Sequence, residues 1–181
     1  MTRLAAAVLA ALALAPLPAA AGEVVILLQT QETTDVTPVC PEGDNIRLGA
    51  YVYAPRTRAD SGAVVRDLGP PIGIVNGCGR FGRENFVPYT PAPFSMRFEL
   101  PMGTVHASGQ CVATSLSFPV PGSPAPLLLV GCALDVTPDP ALGVTRGSAT
   151  SSSVFLPYPI PGYDTGSYWT LHLYTADAAS Q

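Results

Sequence analysis

The sequence predicts an all-β fold of eight sequential strands, arranged either as an antiparallel up-and-down barrel or as a β-sandwich. Three observations carry that expectation. Proline (20) and glycine (17) punctuate the chain at short intervals. The segments between them are rich in β-branched and aromatic residues. No segment after the N-terminal apolar run combines a helical period with capping residues.

The N-terminal run stands outside that fold. Arg3 supplies a short basic region, 4–17 is apolar, and Ala19, Ala20 and Ala21 are small residues suited to cleavage. Residues 1–21 therefore read as a secretory signal peptide, which predicts a secreted, extracellular protein whose single β domain occupies 22–181. The run is too short for a bilayer span and is interrupted by Pro16 and Pro18. No later segment is long and apolar enough, so no membrane span is expected.

The first strand, 24–30, is largely apolar; beyond it the chain carries Gln31 and Glu32. In the second, 46–54, Ile46, Leu48, Ala50 and Val52 alternate onto one face. The third, 72–81, contains GCGRFG, whose glycines are spaced like a phosphate loop. No helix follows, so they read as a bulge or a site of close packing. In the fourth, 93–100, Phe94, Met96, Phe98 and Leu100 share one face and Arg97 and Glu99 the other. A tight turn at Pro101-Met102-Gly103 leads into the fifth strand, 103–117. The sixth, 127–135, and the seventh, 143–156, flank a loop containing TPDPALG, and the eighth, 166–175, ends in YWTLHLY.

Composition excludes several functions. Charged residues make up 12% of the chain and hydrophobic ones 48%, which argues against disorder. There is no lysine, and the arginines are scattered among thirteen acids, so a nucleic-acid surface is not expected. Cys40, Cys78, Cys111 and Cys132 form an even set in an exported chain and predict disulfides, with three pairings open. Their spacings contain no C-x-x-C pair, and His106 lies far from His172, so neither a metal nor another cofactor is expected. No G-x-S-x-G frames a serine.

Across 42–174 the order of segments resembles the allene oxide cyclase barrel and dirigent-like superfamily. PEGDNIRLGAYVYAPRTRADSGAVVRDLGPPIGIVNGCGRF is similar to its Gly-Asp, strand ending in Tyr, variable loop and "V-G-x-x-x-G" strand. MRFELPMGTVHASG resembles its hairpin, and LLLVGCALDVTPDPALGVTRGSATSSSVF its "V-V-G-G-T-G-x-x-x-x-A-R-G" segment. YWTLHLY resembles the closing strand. The family's Gly-Gly-Thr-Gly is here Gly131-Cys132-Ala133-Leu134, the following loop is longer, and the first strand gives no secure match to an acidic residue some members use there.

The resemblance implies the eight-stranded antiparallel up-and-down barrel. It implies an apolar or phenolic small molecule inside, whose coupling or cyclisation is directed stereoselectively by positioning and exclusion of water, with isomerase-like chemistry and no cofactor. It also implies a homotrimer. The alternative is a non-catalytic secreted barrel that binds a hydrophobic ligand or a partner protein.

Arg146 falls on the family's Ala-Arg-Gly arginine and is the first catalytic candidate, its guanidinium suited to a phenol or carboxyl oxygen. Its plainer reading is a solvated or ion-paired strand-end residue. Asp135 is a candidate acid, and Asp139, between two prolines, reads rather as a turn residue. Asp44 matches the Gly-Asp, though an Asp before a strand commonly fixes a turn. Tyr51, Phe94, Met96, Phe98 and Arg97 are the ligand-binding candidates. Packing is the ordinary role of such aromatic residues, and an exterior position the ordinary one for Arg97 and Glu99. Tyr53, Tyr168 and Trp169 share the aromatic reading. His106 reads as a surface or hydrogen-bonded residue.

Overall fold

The computed structural model describes residues 22–55, 69–82, 87–118, 127–155 and 166–176. Eight strands follow in chain order: β1 (Gly22–Glu32), β2 (Ile46–Tyr53), β3 (Gly73–Gly79), β4 (Pro91–Leu100), β5 (Gly103–Phe118), β6 (Leu127–Val136), β7 (Val144–Phe155) and β8 (Gly166–Thr175). Each pairs antiparallel with the next and β8 returns to β1, so the sheet closes into an eight-stranded up-and-down barrel. Every strand has two hydrogen-bonded neighbours, which leaves no edge and excludes the β-sandwich. No predicted strand boundary is off by more than two residues. The segment read from the sequence as a signal peptide, 1–21, lies outside the described residues.

Up-and-down order sorts the connections onto two ends. The lower end carries Gly22 and Thr175, the Pro101–Met102 turn and a 3₁₀ turn, Pro140–Leu142. The upper end carries the β1–β2 and β3–β4 connections. Asp139 is a capping residue: its carboxylate accepts from the Ala141 N–H at 2.8 Å, while Gly143 closes the turn in the left-handed region at φ 68°. That turn sets Leu142 against the barrel core.

Period-two alternation decides what enters the lumen. Leu28, Val52, Phe98, Leu134, Leu171 and Leu173 fill the lower half and are almost wholly buried. On β3 the inward positions Gly77 and Gly79 are without side chains, and a Cβ at either would run into the Phe94 ring or Met96 Sδ. The glycines of GCGRFG thus make room for bulk from β4, the close-packing role expected of them.

Two disulfides select one of the three pairings, Cys40–Cys78 and Cys111–Cys132. The first ties the β1–β2 connection to the outer wall, where Val36 is buried against Gly49 and covers the strands near Asn76. The second joins directly opposed residues of β5 and β6 on the inner face. Among the described residues no helix is long and apolar enough to cross a membrane.

Candidate functional site

An eight-stranded barrel is just wide enough to be filled by side chains or to hold one small ligand. Here the lower half takes the first course and the upper half the second. A cavity of about 240 Å³ occupies the upper lumen and, among the described residues, reaches the upper end of the barrel at Glu32 and Phe81.

Its walls differ by strand. Ile46, Leu48 and Ala50 of β2, Val75 of β3, Phe94 and Met96 of β4, and Phe81 just beyond β3 form one apolar side. Leu128 and Val130 of β6, with the Cys111–Cys132 disulfide, form another. The polar residues Thr30, Glu32, Ser153 and Ser167 come from β1, β7 and β8, which are adjacent, so they form one continuous arc. Thr30 Oγ1 donates to the Ser167 carbonyl at 3.4 Å, and the Ser151 and Ser153 hydroxyls lie 3.4 Å apart.

Trp169 borders the cavity from below. Its ring meets Phe98 edge-on, with centroids 5.3 Å apart. The residue is buried, and its Nε1–H has no hydrogen-bond partner. Phe98 itself belongs to the packed layer beneath. The boundary between full and empty lumen therefore runs through this aromatic pair.

Glu32 is the one ionisable residue among the described lining. It ends β1 in the same inward phase as Leu28 and Thr30, opposite Ala50 of β2. As a residue it stays exposed at the rim, while burial pushes its carboxyl above the ordinary 4.5 because the apolar mouth solvates the charged form poorly. Arg47 stands in a groove on the outer side of the same rim, its Nε donating to the Asp44 carbonyl at 3.2 Å, and no ion pair joins it to Glu32.

The sequence candidates divide. Phe94 and Met96 line the cavity, and Phe98 supports it through Trp169. Tyr51 faces outward, its hydroxyl donating to Asp35 Oδ2 at 3.4 Å; the Asp35 charge holds the phenol above its ordinary range. Arg97 also faces outward, paired with Glu99 at 3.0 Å and directly across from His106 of β5.

None of the three catalytic candidates lines the cavity. Asp135 is exposed near the lower end of β6, and Asp44 sits in the β1–β2 connection beside an outer groove shared with Arg80. Arg146 lies at the opposite end from the cavity, on the outer face, with its guanidinium 4.2 Å from the Tyr174 ring centroid. Two features put it there. β7 rises from the lower end, and a bulge between Val144 and Arg146 adds a residue that turns Arg146 outward and Gly147 and Ala149 inward.

Thr30, Glu32, Ser153 and Ser167 were not among the candidates. The signal for the first two was the alternation of Leu28, Thr30 and Glu32, of which the predicted strand, ending at 30, left out Glu32. Among the described residues no group of three or more His, Cys, Asp or Glu is placed to hold a metal.

Comparison of the chain with models of protein families, with curated proteins and with solved structures finds no match in any of the three.

Proposed function

We propose that the barrel holds one small apolar molecule in its upper lumen and constrains the conformer that reacts, as an exported protein of dirigent or allene oxide cyclase type. One observation carries the reading: the same eight strands fill one half of the lumen and leave about 240 Å³ in the other. A cavity of about 150 Å³ lined by apolar side chains accepts benzene. By proportion this one takes roughly ten non-hydrogen atoms.

The described lining offers hydroxyls and one carboxyl against extensive apolar walls, without a nucleophile and base within reach of each other. What such a site supplies is position and exclusion of water, which suits a ligand reactive in itself. Room for about ten atoms favours one molecule over two. Intramolecular cyclisation, or binding without chemistry, therefore fits better than coupling of two phenols inside the lumen.

Two disulfides are compatible with the oxidising compartment that the N-terminal segment predicts. The homotrimer implied by the resemblance would use an exposed outer stripe of β1 and β8, where Val25, Leu27 and Tyr168 keep 56%, 59% and 46% of their surface. Light scattering of Leu27→Asp beside the unaltered protein tests it. A monomer in both counts against the trimer.

Trp169 is the single tryptophan and borders the cavity, so its fluorescence reports occupancy. At about −0.5 kcal/mol per atom, a ten-atom ligand binds with a Kd below about 1 mM. Propylbenzene is expected to saturate the Trp169 signal in that range. No saturation at the solubility limit overturns the binding reading. Saturation, with racemic products when phenoxy radicals are coupled in its presence and no acceleration of a cyclisable epoxide, leaves the binding-only alternative standing.

A further inference from the structure

We infer that Glu32 sets the chemical class of the ligand: an apolar body headed by a hydrogen-bond donor, a hydroxyl or an ammonium, with carboxylates excluded. The inference rests on the cavity reading above and adds the polarity and charge of the ligand's outer end.

The geometry supplies the steps. The apolar side formed by β2, β3, β4 and β6 gives a ligand head nothing to bond with, so the head must turn to the arc of β7, β8 and β1. On that arc the Thr30 hydroxyl already donates to the Ser167 carbonyl, and the unpartnered Trp169 Nε1–H lies at the floor, away from the mouth. The Ser153 and Ser167 hydroxyls can donate or accept and impose no polarity. Glu32 does impose one, since an ionised carboxylate only accepts. It sits at the mouth, where the outer end of a molecule lodged above Trp169 must lie.

Among the described residues no cation offsets the charge: every other described lining residue is uncharged, both cysteines being joined in their disulfide. Arg47, in the outer groove shared with Glu32, is turned to the Asp44 carbonyl, and Asp35 on the outer face is hydrogen-bonded to Tyr51. A second carboxylate at the mouth would meet a like charge in a poorly solvated cleft with no donor on the apolar side. At an effective dielectric of about 20–40 and a few ångströms, that disfavours it at least tenfold. Protonating Glu32 turns it into a donor and removes the discrimination, so the selectivity weakens as pH falls.

Four probes of matched skeleton separate the terms: propylbenzene, 3-phenylpropan-1-ol, 3-phenylpropylammonium and 3-phenylpropanoate, each titrated against the folded, disulfide-bonded protein by Trp169 fluorescence. At pH 7.5 the alcohol and the ammonium are expected to bind at least tenfold more tightly than the carboxylate. In Glu32→Gln that gap should close to within threefold. Glu32→Asp, which keeps the charge, and Arg146→Ala, at the opposite end of the barrel, should keep the ranking. A ranking that persists in Glu32→Gln, or four equal affinities in the unaltered protein, overturns the inference while leaving the cavity reading intact. Failure of all four, propylbenzene included, overturns both.

Discussion

The lower and upper halves of the lumen are built from the same eight strands and differ in what those strands point inward. Below, leucines from β1, β6 and β8 meet Phe98, and Leu142 of the 3₁₀ turn packs in from the end. Above, the inward positions include Ala50, Ser153 and Ser167, whose small side chains leave the centre open, while Phe94 and Met96 take the space over Gly77 and Gly79. One end of the barrel thus acts as a plug, and the other as a vessel. Stability and ligand affinity should accordingly respond to different residues.

The sharpest break of that division is at the aromatic layers. Phe98→Ala empties a fully buried site in the packed half and is expected to cost about 4 kcal/mol, a large share of a typical domain's stability. Phe94→Ala removes a ring that already borders open space, so about 2 kcal/mol is expected. Urea denaturation of both variants measures the difference. Equal losses would mean that the upper half is packed as tightly as the lower.

The disulfides sharpen the comparison next. On a chain-entropy model, closing 38 residues with Cys40–Cys78 is worth about 4 kcal/mol and closing 21 with Cys111–Cys132 about 3 kcal/mol. Only the second touches the cavity. Removing Cys40–Cys78 by paired Ser substitutions should lower the melting temperature and leave the affinity for propylbenzene unchanged. Removing Cys111–Cys132 by paired Ala substitutions should lower both. An affinity that follows the first bond and not the second would place the ligand on the outer wall.

Smaller effects come from adding bulk. Ala149 is fully buried where β7 faces Leu134 and Leu171, and Ala149→Leu is expected to cost about 2 kcal/mol through overpacking. Val130→Phe projects into the cavity, so a stability change within about 0.5 kcal/mol should accompany at least a tenfold loss of propylbenzene affinity. Melting curves and Trp169 titrations on the same samples read both quantities. A strongly destabilised Val130→Phe would show that the upper lumen has no room to give.

The division was only partly legible in the sequence. FSMRFEL displays its period openly, and the Pro101-Met102-Gly103 turn fixes its partner, so strand order followed from local pattern. Phe94, Met96 and Phe98 were correctly placed on one face, but whether that face met a full or an empty lumen depends on what the other strands point inward, Gly77 and Gly79 directly opposite on β3 among them. Arg146 falls outside the cavity for a different reason. Strict alternation from Val144 puts it inside; one bulge residue reverses the phase, and hydrophobic pattern alone does not mark a bulge in VTRGSATSSSVF. Strand direction was available, however. In an up-and-down barrel the start of β7 and the end of β1 lie at opposite ends, so Arg146 and Glu32 could never share a site.

Glu32 provides the smallest and most specific test. Its folded pKa is raised by burial, so between its ordinary 4.5 and that raised value the native state holds more protons than the unfolded chain. Stability from this group is then full at low pH and falls as pH rises through that window, the reverse of a salt-bridged carboxylate. Glu32→Gln removes the titration. The variant should melt at the same temperature as the parent below pH 4.5 and slightly higher above the window, the gap opening as pH increases. A parent whose melting temperature instead rises relative to Glu32→Gln over that range would mean that a cation reaches Glu32, and the vessel's mouth would no longer be the uncompensated acceptor on which the ligand's polarity depends.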